Sequence, residues 1–210
     1  MKLIGMLDSP YVRRVAISLE MLRVPFEHEA VSVFTTFEAF QRINPVVKAP
    51  TLVCDDGDTI MDSSLMLQFI ERSLPDARTL WSTDLANLQH EFRAVGLALA
   101  ACDKSVQIIY ERNLRPASAQ YEPWIQRASG QLLAAYAALE QDIQARPHLV
   151  EDARKQAAIT AAVAWQFTQS MLARLVPVAP YPGLAALSAK MEALPEFEKY
   201  PPVGPGVAEA

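Results

Sequence analysis

The hydrophobic pattern in the first third of the chain alternates between strand and helix. Residues 3–7 form an apolar run of the length of a buried strand, and apolar residues then recur at helical spacing from Val12 to Leu19. Three further strand-like runs and two further helical segments follow. The predicted order of elements over residues 1–75 is therefore β-α-β-α-β-β-α.

Each of the later elements has its own local signal. His28 and two glutamates interrupt one apolar run, which is typical of an exposed edge strand, and Gly57 lies among aspartates in a turn that favours a hairpin. The predicted elements are an edge strand over 26–31, a helix over 36–43, hairpin strands over 51–54 and 59–61, and a helix from 62.

Beyond a predicted linker over residues 74–83, the pattern is helical. Helices are predicted over 84–115, 121–145, 156–175 and from 182 to Pro195, followed by an irregular tail from Tyr200. The sequence thus predicts two domains, one over residues 1–76 and an all-helical one over residues 84–202.

Composition narrows the classes of partner. The 24 acidic against 19 basic residues give a net charge of −5, with no run of Lys or Arg, so neither nucleic acid nor an anionic membrane is an expected partner. The longest apolar segment, 94–102, is too short to span a membrane, and the N-terminus does not have the signature of a signal peptide. Cys54, Cys102 and the three scattered histidines fit no metal or disulfide spacing, which predicts a cytoplasmic protein without a metal site.

The turn between the first strand and the first helix is the first candidate site. Asp8 or Ser9 can cap the helix, and Pro10 fits its first position, where an N–H is not needed. Arg13 and Arg14 are expected on the solvent side. Ser9 can be a cap and nothing more, but its hydroxyl also lies beside helix amides and a positive dipole end, which favour anions.

A comparison with glutaredoxin-like proteins favours a ligand-binding role for Ser9 over a role as a cap alone. Glutaredoxin-like proteins carry Cys-Pro-Tyr-Cys at the turn where this chain has Ser9 to Val12, so any sulfur chemistry needs a thiol from a ligand.

Pro50 can be an ordinary trans proline at a strand start, whereas thioredoxin-like folds have a cis proline there, which presents the backbone of the preceding residue, Ala49, to a peptide. Asp62 and Ser63 cap a helix and can also hold an amine and a carboxylate.

With these sites in place, the chain from about residue 2 to residue 202 resembles bacterial glutathione S-transferases of the serine type, near the zeta-like enzymes. The stretches that carry the resemblance are 9–15, 44–52 and 62–63, with 110–116 and 164–167 in the helical half. The resemblance implies a thioredoxin-like α/β domain followed by an all-α domain. It also implies a cytosolic homodimeric enzyme that uses glutathione as a co-substrate, without a metal.

The resemblance also assigns roles. It implies that Ser9 donates its hydroxyl to the glutathione thiolate. The remaining groups of glutathione are implied to contact Lys48 (glycyl end), Ala49 beside Pro50 (cysteinyl backbone), and Asp62 with Ser63 (γ-glutamyl end). The electrophile is expected over the Ser9 turn, in a cleft between the domains, with Tyr11, Tyr110 and Trp165 as candidate walls.

One departure from the relatives and two alternative functions bear on this reading. Relatives usually start the core helix of the second domain with a reciprocal Thr/Ser-x-x-Asp cap, but this chain has Lys155 and Ala158 there, with Asp152 as the nearest substitute. Conjugation of glutathione to a small hydrophobic electrophile is the predicted function. A glutathione-dependent isomerase or dehalogenase, or a non-catalytic binding protein, stays open on the same site.

Overall fold

The computed structural model describes residues 1–206 and divides into two compact units. Unit 1 consists of residues 1–80 together with residues 195–206, and unit 2 consists of residues 81–194. Residues 195–202, which the sequence analysis assigned to the helical domain, therefore group with the α/β unit. The predicted irregular tail is irregular over residues 201–206, and its last four residues lie outside the described part of the chain.

Unit 1 has the predicted order of elements. Its elements are β1 (Lys2–Ile4), α1 (Pro10–Met21), β2 (Glu27–Glu29), α2 (Phe37–Ile43), β3 (Thr51–Val53), β4 (Thr59–Met61), α3 (Ser63–Ser73) and a late short helix, α9 (Pro195–Glu198). The strands form one sheet in the order β2-β1-β3-β4, with β2 at an edge as predicted. β2 runs parallel to β1, whereas β1–β3 and β3–β4 are antiparallel. The fold is thioredoxin-like.

Strand register brings three chain segments to one end of this sheet. Thr51, the first residue of β3, is paired with Ile4 at the end of β1 and with Met61 at the end of β4. The residues just outside these positions, Gly5 and Asp62, therefore flank the start of β3. β1 leads into α1 and β4 leads into α3, so the starts of both helices lie at this end of the sheet.

The orientation of Arg13 and Arg14 was predicted wrongly. Both arginines are buried, at 1% and 2% exposure, instead of lying on the solvent side of α1. Arg13 donates from Nε to the carbonyl oxygen of Tyr200 at 2.8 Å, and its guanidinium lies 5.3 Å from the ring centre of Phe197. The tail of the chain thus covers the polar face of α1, which helical periodicity alone assigns to water.

The same contacts explain why α9 belongs to unit 1. Pro195 was expected to end the preceding helix, but it opens α9 instead, because proline fits a first helical turn as well as it ends a helix. Lys199 and Tyr200, which follow α9, both donate to the carboxylate of Glu20 on α1, at 2.7 and 3.0 Å. Contacts with α1 therefore hold this late segment on the α/β unit.

Unit 2 is helical, as predicted. Its α-helices are α4 (Leu85–Asn113), α5 (Glu122–Ala145), α6 (His148–Glu151), α7 (Gln156–Leu172) and α8 (Pro182–Glu192), with a short 3₁₀ helix at Ala117–Ala119. The four long helices were predicted from the sequence, whereas α6 and the 3₁₀ turn were not, because they are too short to show a periodicity. None of the described helices is both long and apolar enough to cross a membrane.

A buried polar network organises the centre of unit 2. Tyr136 donates its hydroxyl hydrogen to the carbonyl oxygen of Ala164 at 2.9 Å, and its oxygen lies 2.7 Å from Oγ1 of Thr168. Thr168 also contacts the hydroxyl of Ser105 at 2.9 Å. Burial raises the pKa of Tyr136 well above its ordinary value, so this hydroxyl stays neutral and links three helices.

The start of α7 is the one that the sequence analysis singled out as lacking a cap. Lys155 is the N-cap residue, and its side chain makes no cap hydrogen bond. Asp152, the expected substitute, accepts from the backbone N–H of Arg154 at 2.9 Å, before α7 begins. Asp152 therefore orders the preceding turn and does not cap α7.

Candidate functional site

Ser9 lies at the start of α1, with its hydroxyl unused as a cap. It is the N-cap residue, with φ −73° and ψ 122°, and its side chain makes no cap hydrogen bond. Its backbone is held at both ends, because its N–H donates to Met6 and its carbonyl accepts from Arg13. The residue is partly exposed. A fixed, accessible hydroxyl thus lies beside the positive end of a twelve-residue helix.

The preceding residue, Asp8, is used by the tail of unit 1. Its carboxylate accepts from the backbone N–H of Gly206 at 2.8 Å. A side chain at Gly204 would overlap this carboxylate, since an added Cβ would lie 2.2 Å from Oδ2. Of the two residues that the sequence offered as caps for α1, Asp8 thus holds the tail and Ser9 holds the N-cap position.

Gly5 lies close to Ala49, just before β3, and to Val12, in the first turn of α1. Gly5 has φ +140°, and a Cβ there would come within 2.6 Å of Val12 Cγ2 and 3.3 Å of Ala49 Cβ. Only glycine fits this close approach. The Ala49–Pro50 peptide bond is cis, as predicted. Within residues 1–206, the backbone N–H and carbonyl of Ala49 take no hydrogen-bond partner.

The loop before this bond is held by a buried side-chain network. Asn44, which is 2% exposed, donates to Thr51 Oγ1 at 2.9 Å and accepts from the N–H of Val46 at 3.0 Å. Thr51 in turn donates to the carbonyl of Lys48 at 2.8 Å. The Lys48 side chain is exposed. The network therefore fixes the backbone at Lys48 while leaving its ammonium group in solvent.

Asp62 and Ser63 begin α3 on the same end of the sheet. The Asp62 carboxylate accepts from the N–H groups of Ser64 and Leu65 at 2.9 and 3.2 Å, which confirms it as the cap of α3. Its φ of 76° is uncommon for a residue other than glycine, and such backbone strain clusters at ligand sites. Ser63 is buried beside it.

Arg14 is a site residue that the sequence analysis missed. Its guanidinium donates to the hydroxyl oxygens of Ser63 and Ser64, at 3.1 and 3.0 Å. These contacts join residues 49 and 50 positions apart, so no local pattern reports them. The only available signal was an arginine one turn after a candidate cap, which is common on solvent-facing helices.

The three candidate electrophile residues lie in different surroundings. Tyr11 is partly exposed in the first turn of α1, in unit 1. Tyr110 is 38% exposed on α4, in unit 2. Trp165 is 3% exposed, with its ring edge-on to Tyr136 and Tyr181 at 5.2 and 5.5 Å. Trp165 therefore presents little surface to a ligand, and an electrophile-binding role for these residues stays a prediction.

Neither cysteine has the surroundings of a reactive thiol. Burial, followed by the charges of Asp56, Asp55 and Asp58, raises the pKa of the Cys54 thiol, which disfavours the nucleophilic thiolate. Cys102 is buried in α4. Among residues 1–206, no group of three or more His, Cys, Asp or Glu side chains is arranged to hold a metal ion.

Similarity to known protein sequences lies in the N-terminal part of the chain for the family that matches. Residues 3–78 match the family described as "Glutathione S-transferase, N-terminal domain". Over 95 residues the chain is 30% identical to a probable cytosolic glutathione S-transferase, DHAR1, of rice (Oryza sativa subsp. japonica), a match that covers 45% of this chain and 41% of the relative. It is also 32% identical over 71 residues to the uncharacterised GST-like protein YibF of Escherichia coli (strain K12), covering 34% and 35% of the two chains. The matched part thus spans well under half the length of either curated relative.

Similarity to solved structures extends over the whole chain. A glutathione S-transferase of Methylobacterium radiotolerans, in complex with glutathione sulfonate, superimposes with a TM-score of 0.86 at 28% identity, covering 100% of this chain and 95% of the other. A glutathione transferase family member of Pseudomonas fluorescens, with bound glutathione, superimposes with a TM-score of 0.82 at 25% identity, covering 97% and 99%. Residues 3–78 therefore match the N-terminal domain of glutathione S-transferases, and the chain as a whole has the glutathione S-transferase fold.

Proposed function

We propose that this protein binds glutathione and conjugates its thiolate to a small hydrophobic electrophile. The observation that carries the proposal is the Ser9 hydroxyl, which lies at the start of α1 and makes no cap hydrogen bond. A serine at an N-cap ordinarily accepts from the helix N–H groups through its hydroxyl oxygen, so a serine that makes no such bond has a hydroxyl available to donate to a ligand. The glutathione bound in the Pseudomonas fluorescens relative supports the choice of ligand.

Ser9 and α1 would act together on the glutathione sulfur. A hydrogen bond from the Ser9 hydroxyl and the positive end of α1 both stabilise the thiolate over the thiol, which lowers the thiol pKa. Each unit of lowering corresponds to about 1.4 kcal/mol. The thiolate then attacks an electrophilic carbon, a C–S bond forms, and the leaving group departs with its electron pair. In an addition, the neighbouring carbon takes a proton from water instead.

The rest of glutathione fits the polar groups on the same end of the sheet. The backbone N–H and carbonyl of Ala49, beside Pro50, can pair with the cysteinyl backbone in the manner of an added strand. Ser63 and the start of α3 suit the γ-glutamyl carboxylate, and the Asp62 carboxylate suits its amine. The exposed ammonium of Lys48 suits the glycyl carboxylate.

Calorimetry and turnover on the full chain test this function. We expect reduced glutathione to bind and to be consumed with at least one member of a panel of aryl halides, epoxides and activated alkenes. Binding without turnover would support a non-catalytic binding protein. Halide release or isomerised product without net glutathione consumption would support the dehalogenase or isomerase alternative, and absence of binding would overturn the proposal.

A disulfide substrate is the control for this panel. Ser9 and Val12 occupy the positions of a redox cysteine pair, so we expect weak disulfide reduction. Strong reduction would contradict the proposal, because it would require the thiol of Cys54 or Cys102 to react.

Assembly and location complete the proposal. Leu65 and Phe69 are 57% and 44% exposed and lie one turn apart on α3, where such an apolar face suits a subunit contact. We therefore propose a homodimer, which light scattering after size-exclusion chromatography tests directly. A cytoplasmic location is proposed with it, in line with the cytosolic glutathione S-transferase of rice.

A further inference from the structure

The guanidinium of Arg14 is built into the start of α3. The residue is 2% exposed, and one of its nitrogens, Nη1, donates to both the Ser63 and the Ser64 hydroxyl oxygens. Burying an arginine is costly unless its donors are satisfied. Its presence here therefore indicates that positive charge or hydrogen-bond donors are needed at the start of α3. Ser63 is the residue proposed above for the γ-glutamyl carboxylate.

The hydrogen bond from Arg14 decides what the Ser63 hydroxyl can do. A guanidinium only donates, so the Ser63 oxygen is the acceptor of this bond. The hydroxyl hydrogen must then point to some other acceptor. Hydrogen bonds in a chain polarise one another, and a charged donor behind the oxygen strengthens the outward O–H as a donor.

Asp62 caps α3, so the Ser63 hydroxyl is not needed as a cap and is available to a ligand. The Asp62 carboxylate already accepts the N–H groups of Ser64 and Leu65, so capping of α3 does not depend on Ser63. The positive end of α3 and the buried Arg14 charge both favour an anion at this point. A carboxylate is the anionic group that glutathione carries beside the amine of its γ-glutamyl end.

We propose that Arg14 is a positioning residue that makes the start of α3 selective for the γ-glutamyl carboxylate, by holding Ser63 as a donor and supplying positive charge behind it. This inference rests on the proposed binding of glutathione. It adds that removal of Arg14 weakens recognition of the carboxylate in particular, and not of the tripeptide in general.

Arg13 provides a matched control within the same helix. It is an adjacent arginine, buried to 1% exposure, whose guanidinium bonds the carbonyl of Tyr200 and stacks on Phe197. Replacing it should disturb the packing of α1 as much as replacing Arg14 does. The Arg13 guanidinium contacts the tail of unit 1, whereas the Arg14 guanidinium contacts the start of α3.

The test compares two ligands by calorimetry on the full chain: glutathione, and 4-aminobutyryl-cysteinyl-glycine, which has the amine but lacks the γ-glutamyl carboxylate. In Arg14→Gln we expect the affinity for glutathione to fall about 10-fold or more and that for the analogue to change less than about 2-fold. Arg13→Gln should leave the ratio of the two affinities unchanged. Arg14→Lys should fall between, because a single ammonium keeps the charge without the planar fork.

Each outcome has a distinct meaning. Equal weakening of both ligands in Arg14→Gln would overturn the inference, since it would show a packing role alone. If Arg14→Gln does not fold, Arg14→Lys and Ser63→Ala carry the test, and an unchanged affinity ratio in both would overturn it. Failure of the unmodified protein to bind glutathione would instead overturn the proposed function.

Discussion

The starts of α1 and α8 have similar sequences, but they differ in what interacts with their free backbone N–H groups. Each helix has proline at its first position, and each follows an N-cap residue, Ser9 or Tyr181, whose side chain makes no cap hydrogen bond. At α8 a buried carboxylate from α5 takes that place: Glu140 accepts from the N–H groups of Gly183 and Leu184 at 2.7 and 2.8 Å.

Under the proposed function, the difference separates a helix start used for structure from one used for a ligand. Glu140 is 4% exposed, so α8 carries its anion internally. At α1 the N-cap residue Ser9 is partly exposed with its hydroxyl unused as a cap, and the proposed anion is the glutathione thiolate. The same dipole and amide groups therefore stabilise a fold at one start and favour a ligand at the other.

Removing the Ser9 hydroxyl should give the largest effect. In Ser9→Ala we expect kcat/KM for an aryl halide to fall about 10- to 100-fold, because a hydrogen bond to a charged group contributes about 1.5–3 kcal/mol. The pKa of bound glutathione, followed by thiolate absorbance, should rise toward its free value. Binding itself should weaken little, since other groups hold the rest of the ligand.

Two controls make this result interpretable. Ser9→Thr retains a hydroxyl and should recover part of the activity, whereas Ser73→Ala, at the far end of α3, should leave the activity unchanged. A pH–rate profile of Ser9→Ala that overlays that of the unmodified protein would show that Ser9 only begins the helix.

The corresponding change at α8 is Glu140→Gln. In the amide an NH2 donor replaces one of the two accepting oxygens, so the N–H of Gly183 or Leu184 loses its acceptor in the protein interior, and we expect the free energy of unfolding to fall by about 1–3 kcal/mol. Chemical denaturation measures this loss, with exposed Gln141→Ala as the control on the same helix. Glutathione affinity should not change, and a large loss of it would contradict the separation of roles.

The start of α7 extends the comparison to a helix that has no side-chain cap from its N-cap residue. Lys155→Thr with Ala158→Asp would restore the reciprocal cap and should stabilise the protein by about 0.5–2 kcal/mol in denaturation experiments. Ala158→Asp alone should destabilise it, because position 158 is fully buried and the carboxylate would lack the threonine. A neutral or destabilising double variant would show that other groups already satisfy this helix start.

The smallest effect concerns the far end of α1. The hydrogen bond from Lys199 lowers the pKa of Glu20 below its ordinary value of 4.5, against the opposing effect of burial. A lowered pKa contributes stability above the ordinary value, and this contribution is lost as the pH falls through the folded value. At about pH 7 the unmodified protein should therefore unfold at a higher temperature than Glu20→Gln. This difference should shrink as the pH falls to about 3. Exposed Glu198→Gln is the control, and a constant difference would show that this ion pair does not stabilise α9.

The sequence by itself determined the parts of the fold that have a local signal. Apolar periodicity and turn residues placed the four strands and the long helices of residues 1–206 within a few residues, and Pro10 located the start of α1. The predicted cis bond at Ala49–Pro50 came from the resemblance to thioredoxin-like folds and is present. The thioredoxin-like order of elements followed, because each of these signals extends over only a few neighbouring residues.

Only the tertiary structure decided which polar side chains are buried and what they hold. Arg13 and Arg14 have the periodicity of a solvent-facing pair, yet the tail covers one and the start of α3 the other, across separations of 187 and 49 residues. Glu140 likewise gives no sign in the sequence that it serves a helix 43 residues away. A buried charge is stable only with donors or acceptors brought from distant segments, and helical periodicity reports on one turn at a time.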